Sequence, residues 1–192
     1  MTQLVRVFHQ LIPVALLALG LGSVLTIALA LHRVRAGREP AEAWGTAILD
    51  VLLLLTAATI AVLTLPPGLE SHRVVELVPF EDIRRNLREL PSSDTQFWAM
   101  VANVLLFVPV GAFAPLRFPR FDRLPRVLLL CAGISAGIEA FQFVVGSHST
   151  ATDDILLNTL GGLLGFLAMR MARAGLRRLR PTTSAGARPR PG

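Results

Sequence analysis

Asn103-Val104-Leu105-Leu106-Phe107-Val108-Pro109-Val110-Gly111 is an apolar run with a carboxamide at its head and a proline near its end. It lies inside a longer apolar stretch, about Phe97 to Leu116. Two more follow, Val127 to Val145 and about Thr152 to Met171. Each approaches the ~20 residues that a helix needs to cross about 30 Å of hydrocarbon. In lipid only a helix or a closed barrel satisfies its own backbone, and runs this long and apolar read as helices. The fold class is therefore an all-α integral membrane bundle. Against that background a few polar side chains stand out: Asn103, Glu139, Gln142, Asp153, Asp154 and Asn158.

Toward the N-terminus two further spans appear. Leu11 to Leu31 holds no charge, and Trp44 to Leu65 holds only Asp50, near its start, where proximity to the membrane surface keeps its cost low. Trp44 is placed as an interfacial anchor, and Pro66-Pro67-Gly68 ends the second helix. A cleavable signal is the rival reading of the first span, with Ala28-Leu29-Ala30 as its cleavage site. The run exceeds the usual apolar core of about 7–15 residues, and Arg33, Arg35 and Arg38 follow it directly. An uncleaved anchor fits better. The chain thus divides into an N-terminal helix and loop (1–43), a membrane domain (44–173) and a basic tail (174–192) expected to be disordered.

Between the second and third spans, Glu81 to Leu90 has Ile83, Leu87 and Leu90 on one helical face. It suits an interfacial helix and a soluble loop helix equally. Within the spans, Pro109 should kink its helix or free a carbonyl. Gly133 and Gly137, Ala136 and Ala140, and Gly161 and Gly165 are small-xxx-small pairs that allow close helix approach. Thr152, Asp153 and Asp154 suit a helix N-terminus.

All 19 basic residues are arginine, and the net charge is +6. Fourteen fall in residues 31–46, in 117–126 and from Arg170 onward; five fall on the other side of five alternating spans. The positive-inside rule then puts the N-terminus outside and the C-terminus in the cytoplasm. The charge serves topology and anionic lipid rather than nucleic acid, for which no basic face with interleaved aromatics exists. Cys131 cannot form an internal disulfide and reads as a small buried hydrophobe. In this orientation Asn103 and Glu139 each lie about 9 Å below the outer surface. Gln142, Asp154 and Asn158 fall near the same level, and His148 lies in the short outer loop before the fifth span.

These residues resemble the VanZ-like family. The matching pieces are Val78-Pro79-Phe80, the Asn103 to Gly111 run, Glu139-xx-Gln142, and Asp153-Asp154-Ile155-Leu156-Leu157-Asn158-Thr159-Leu160-Gly161, over about residues 47 to 169. The resemblance implies a bacterial plasma-membrane protein with a four-helix core, to which the first helix is an addition, and a link to teicoplanin-type glycopeptide resistance. One departure is clear. Where the family pattern has Gly-Arg ahead of the paired acids, this chain has Ser147-His148, so a permanent cation gives way to one that titrates near neutrality.

The candidate site follows. Glu139 suits a general acid/base or a cation ligand, with Asp153 assisting; Asn103, Gln142, His148, Asp154 and Asn158 suit ligand contacts. The bland alternatives are helix capping for the aspartates and interhelical hydrogen bonding for the amides. No tight ligand spacing such as HExxH is present, so no metal and no cofactor are expected. The expected partner is a membrane lipid or lipid-linked envelope precursor, with a homo-oligomer open. An intramembrane enzyme acting on a lipid headgroup is the alternative. A small-solute transporter is disfavoured by the lack of inverted repeats.

Overall fold

The computed structural model describes residues 2–64, 75–76, 80, 84, 94–145 and 150–179. Five helices account for nearly all of it: α1 (Thr2–Arg35), α2 (Pro40–Thr64), α3 (Asp94–Arg117), α4 (Leu124–Val145) and α5 (Thr152–Leu179). All five contain a stretch long and apolar enough to cross a membrane. A 3₁₀ turn, Pro119–Phe121, joins α3 to α4. Two-residue strands β1 (Val75–Glu76) and β2 (Thr150–Ala151) pair in parallel, with Val75 opposite Thr150. The amphipathic stretch Glu81 to Leu90 lies outside the described residues except for Arg84.

The closest pair is α3 against α5. Its cause is glycine. A Cβ on Gly161 or Gly165 would land on the carbonyl oxygen of Val104 or Val108, and a Cβ on Gly111 would strike the Gly162 carbonyl. The two backbones therefore touch, with Cα–H groups against carbonyls, which substitutes for the hydrophobic drive that lipid removes. Helix α3 runs unbroken through Pro109 and Pro115. Each proline lacks the N–H that would reach the carbonyl one turn back.

Helix α4 rides on this pair with a stripe at four-residue spacing: Val127, Cys131 and Ser135 are fully buried and Glu139 is 6% exposed. Cys131 packs against Gly162, whose missing side chain makes room for the sulfur. Phe107, Val110, Phe166, Met169 and Ile60 complete the core. The small residues of α4 behave otherwise than expected. Gly133 and Gly137 have open space at their Cβ positions, and Ala136 and Ala140 are exposed. The reason is geometric: the buried stripe at 127, 131, 135 and 139 points to α5, and residues 133 and 137 fall on the opposite face.

Helix α1 packs mainly on α2, with Gly22 against Val51 and Leu55. Asp50 does more than sit near a surface. Its carboxylate takes hydrogen bonds from Arg33 of α1 and Arg117 of α3, and Arg33 also reaches the Thr46 hydroxyl at 3.0 Å. Three helices are tied at one point by a set carrying net positive charge. Helix α5 continues to Leu179, past the expected end near Met171, so residues 174–179 of the tail are helical. Its Arg173 pairs with Asp122 at 3.0 Å, in the turn before α4.

Candidate functional site

The polar residues gather at the end of the bundle where α5 begins. Its N-terminus places Asp153 and Asp154 in the first turn, where the backbone N–H groups and the dipole favour negative charge. Asp153 is 3% exposed, and its carboxylate accepts the backbone N–H of Phe80 at 2.5 Å. Phe80 has φ 69°, a left-handed conformation rare outside glycine and asparagine. Arg84 N–H closes a turn onto the Phe80 carbonyl at 3.0 Å. Together with the β1–β2 pair, these bonds bring Val75, Glu76 and Phe80 to the head of α5.

Asp154 turns to α3 and accepts a hydrogen bond from Asn103 Nδ2 at 2.6 Å. One turn further along α5, Asn158 is 5% exposed and donates to the Ser135 hydroxyl of α4 at 2.8 Å. Its Oδ1 is buried with no hydrogen-bond partner among the described residues. Helices α4 and α5 follow one another through a short connection and run antiparallel. One turn beyond Ser135, Glu139 therefore stands at the level of Asp154, one turn before Asn158. Asn103, Ser135, Glu139, Asp154 and Asn158 thus form one polar level enclosed by three helices.

Gln142 points elsewhere. Its Nε2 donates to the Thr64 carbonyl at 2.5 Å, tying α4 to the end of α2. It caps one of the last carbonyls of α2, which the helix ladder itself does not pair. His148 and the Val78-Pro79 pair lie outside the described residues. Among those residues no group of three His, Cys, Asp or Glu side chains stands close enough to hold a metal ion. Ser135 was not anticipated from sequence.

The VanZ/LLP1 family profile matches residues 47–173. The chain belongs to the VanZ/LLP1 family. The matched segment takes in α3, α4 and most of α2 and α5, with every residue of the polar level, and leaves α1 outside. A curated member, Protein VanZ from Enterococcus faecium, is 31% identical over 83 residues, which is 43% of this chain and 51% of that protein. The chain thus spans about half the length of the curated relative it matches. No solved structure matches. For this VanZ/LLP1 chain the arrangement offers two carboxylates, two carboxamides and a hydroxyl in an apolar bundle. Such a set can accept hydrogen bonds from an amine or hydroxyl-rich group and can move a proton.

Proposed function

We propose that this is an envelope protein of the bacterial plasma membrane, holding a lipid or lipid-linked envelope precursor at the Asn103–Glu139–Asp154–Asn158 level. The arginine distribution supports an orientation with that level toward the outer leaflet. The observation that carries the reading is the buried Asn158 Oδ1, left without a hydrogen-bond partner among the described residues, beside two carboxylates at one level.

Magnitudes favour a ligand over packing. An ionisable residue inside a span costs roughly 2.5–3.5 kcal/mol on insertion scales. An interhelical hydrogen bond in a membrane returns about 0.6 kcal/mol on average and about 1.7 at most. For Glu139, inside its span, one such bond does not offset that cost, and a bound polar headgroup adds to what the bond returns. Asp153, which accepts the Phe80 N–H, acts by positioning Phe80 rather than by chemistry. A contribution to teicoplanin-type resistance follows from the family resemblance.

The second reading, acid–base chemistry on a headgroup with Glu139 as base, uses the same residues. Glu139→Gln separates the two, because it keeps shape and hydrogen bonding and removes the proton-accepting charge. In cells whose teicoplanin tolerance depends on this chain, holding by hydrogen bonds leaves tolerance within about twofold of wild type in Glu139→Gln and lowers it in Glu139→Ala. Equal loss in both variants, with normal membrane levels, would overturn holding by neutral hydrogen bonds and require the Glu139 charge, as acid–base chemistry does.

A further inference from the structure

A second feature opens at the opposite, arginine-rich end of the bundle. Helices α2 and α4 are joined at Gln142 and Thr64 and stand apart below that bond. The gap is an apolar groove of about 410 Å³. Leu53, Ala57 and Ala61 of α2 form one wall, Leu130, Ile134 and Ile138 of α4 the other, and Val110 and Ala114 of α3 the floor. Ala57 and Ala61 are exposed, so the groove is open to the side. From Leu53 to Thr64 it runs about 16 Å at helical rise, close to half of the ~30 Å hydrocarbon thickness.

The mouth of the groove is cationic. Phe118, Arg120 and Phe121 close its lower end. The Arg120 guanidinium lies 4.8 Å from the Phe121 ring centre and 5.5 Å from that of Phe118, which fixes it without neutralising it. Arg126 Nη1 donates to the Arg120 carbonyl at 2.9 Å, and a second apolar recess between Arg120, Arg126 and Leu129 adjoins the groove. Of the neighbouring charges, Arg33 and Arg117 engage Asp50 and Arg170 and Arg173 engage Asp122, while Arg123, between the two, is exposed and does not line either recess. Arg120 and Arg126 have no carboxylate partner among the described residues.

We infer that this groove seats one acyl chain of an anionic phospholipid, with its headgroup phosphate held between Arg120 and Arg126. The length matches one leaflet, the walls are apolar and small, and the two unneutralised guanidiniums stand where a phosphate would lie. Basic pockets between membrane helices on the positive side recognise anionic headgroups in this way. Its mouth opens at the end of the bundle opposite the Glu139 level, and its closed end, at Ile138 and the Gln142–Thr64 bond, reaches that level on another face of α4; the inference rests on the groove and its arginines and not on the proposed function.

The test is photo-crosslinking of the full chain in nanodiscs, using phosphatidylglycerol with a diazirine on one acyl chain, beside the matched phosphatidylcholine probe. Phosphatidylglycerol should label residues 53–64 and 130–138 well above phosphatidylcholine, with labelling of the exposed face of α1 as the internal standard. Arg120→Gln and Arg126→Gln should each lower that excess by about fivefold. Ala61→Phe, which fills the groove without touching the charges, should lower labelling there by both probes. Glu139→Gln should leave the pattern unchanged, so that failure here and failure of the outer-leaflet site read separately. Equal labelling by both probes, or an excess that survives loss of both arginines while α1 labelling is normal, would overturn the inference.

Discussion

At the residue scale the polar level works through pairs drawn from different helices. Asn103 reaches Asp154 across 51 residues of chain, and Asn158 reaches Ser135 across 23. Because a charged acceptor strengthens the bond, the Asn103–Asp154 pair should lie at the upper end of membrane hydrogen bonds. A double-mutant cycle of Asn103→Ala and Asp154→Ala, read by unfolding in mixed micelles, should give a coupling of about 1–2 kcal/mol. Zero coupling would mean that the two side chains do not meet. Asn103, Glu139, Asp154 and Asn158 were legible in sequence because a polar atom in a long apolar run stands out against its cost. Ser135 was not, since a helical serine can bond its own preceding carbonyl and gives no sign of a partner. Nor was the tie of Asp50 to Arg33 and Arg117, which lie 17 and 67 residues away. Gln142 was read as a ligand contact from its spacing with Glu139. Its bond to the Thr64 carbonyl depends on where α2 ends, which spacing does not encode.

At the scale of elements the five spans follow from hydrocarbon thickness, and their ends fell within a few residues of expectation except at Thr2 and Leu179. Both ends extend beyond the apolar core, where length no longer tells where a helix stops. The small-residue pairs illustrate a different limit. Gly161-xxx-Gly165 and Gly133-xxx-Gly137 are identical patterns, yet only the first meets a backbone. The pattern marks where a helix can approach, and the buried stripe of each helix decides where it does. Gly165→Ala should therefore cost about 1–3 kcal/mol by forcing α3 and α5 apart. Gly133→Ala should be neutral within about 0.5 kcal/mol or slightly stabilising, since its Cβ meets nothing and alanine favours helix. Thermal unfolding of the two variants in one detergent checks both. Comparable losses would contradict the assigned α3–α5 contact.

At the scale of the whole molecule, charge and polarity are divided between the two ends of the bundle. One end carries the acidic head of α5 and the polar level; the other carries Arg33, Arg117, Arg120, Arg126 and the arginines of α5 beyond Arg170. By the positive-inside rule we propose from this division that the arginine-rich end is cytoplasmic. Reporter fusions at positions 68 and 148 should be external, and those at positions 120 and 180 cytoplasmic. A cytoplasmic reporter at 148 would remove the outer-leaflet site. The central claim is that the polar level holds a lipid or lipid-linked precursor, and native mass spectrometry addresses it most directly. Protein released straight from its own membrane is weighed as wild type and as Glu139→Ala. The expected result is a co-purifying lipid species on the wild type that the variant has lost, while other adducts stay equal. The same species on both, or none on either, would contradict lipid holding at Glu139.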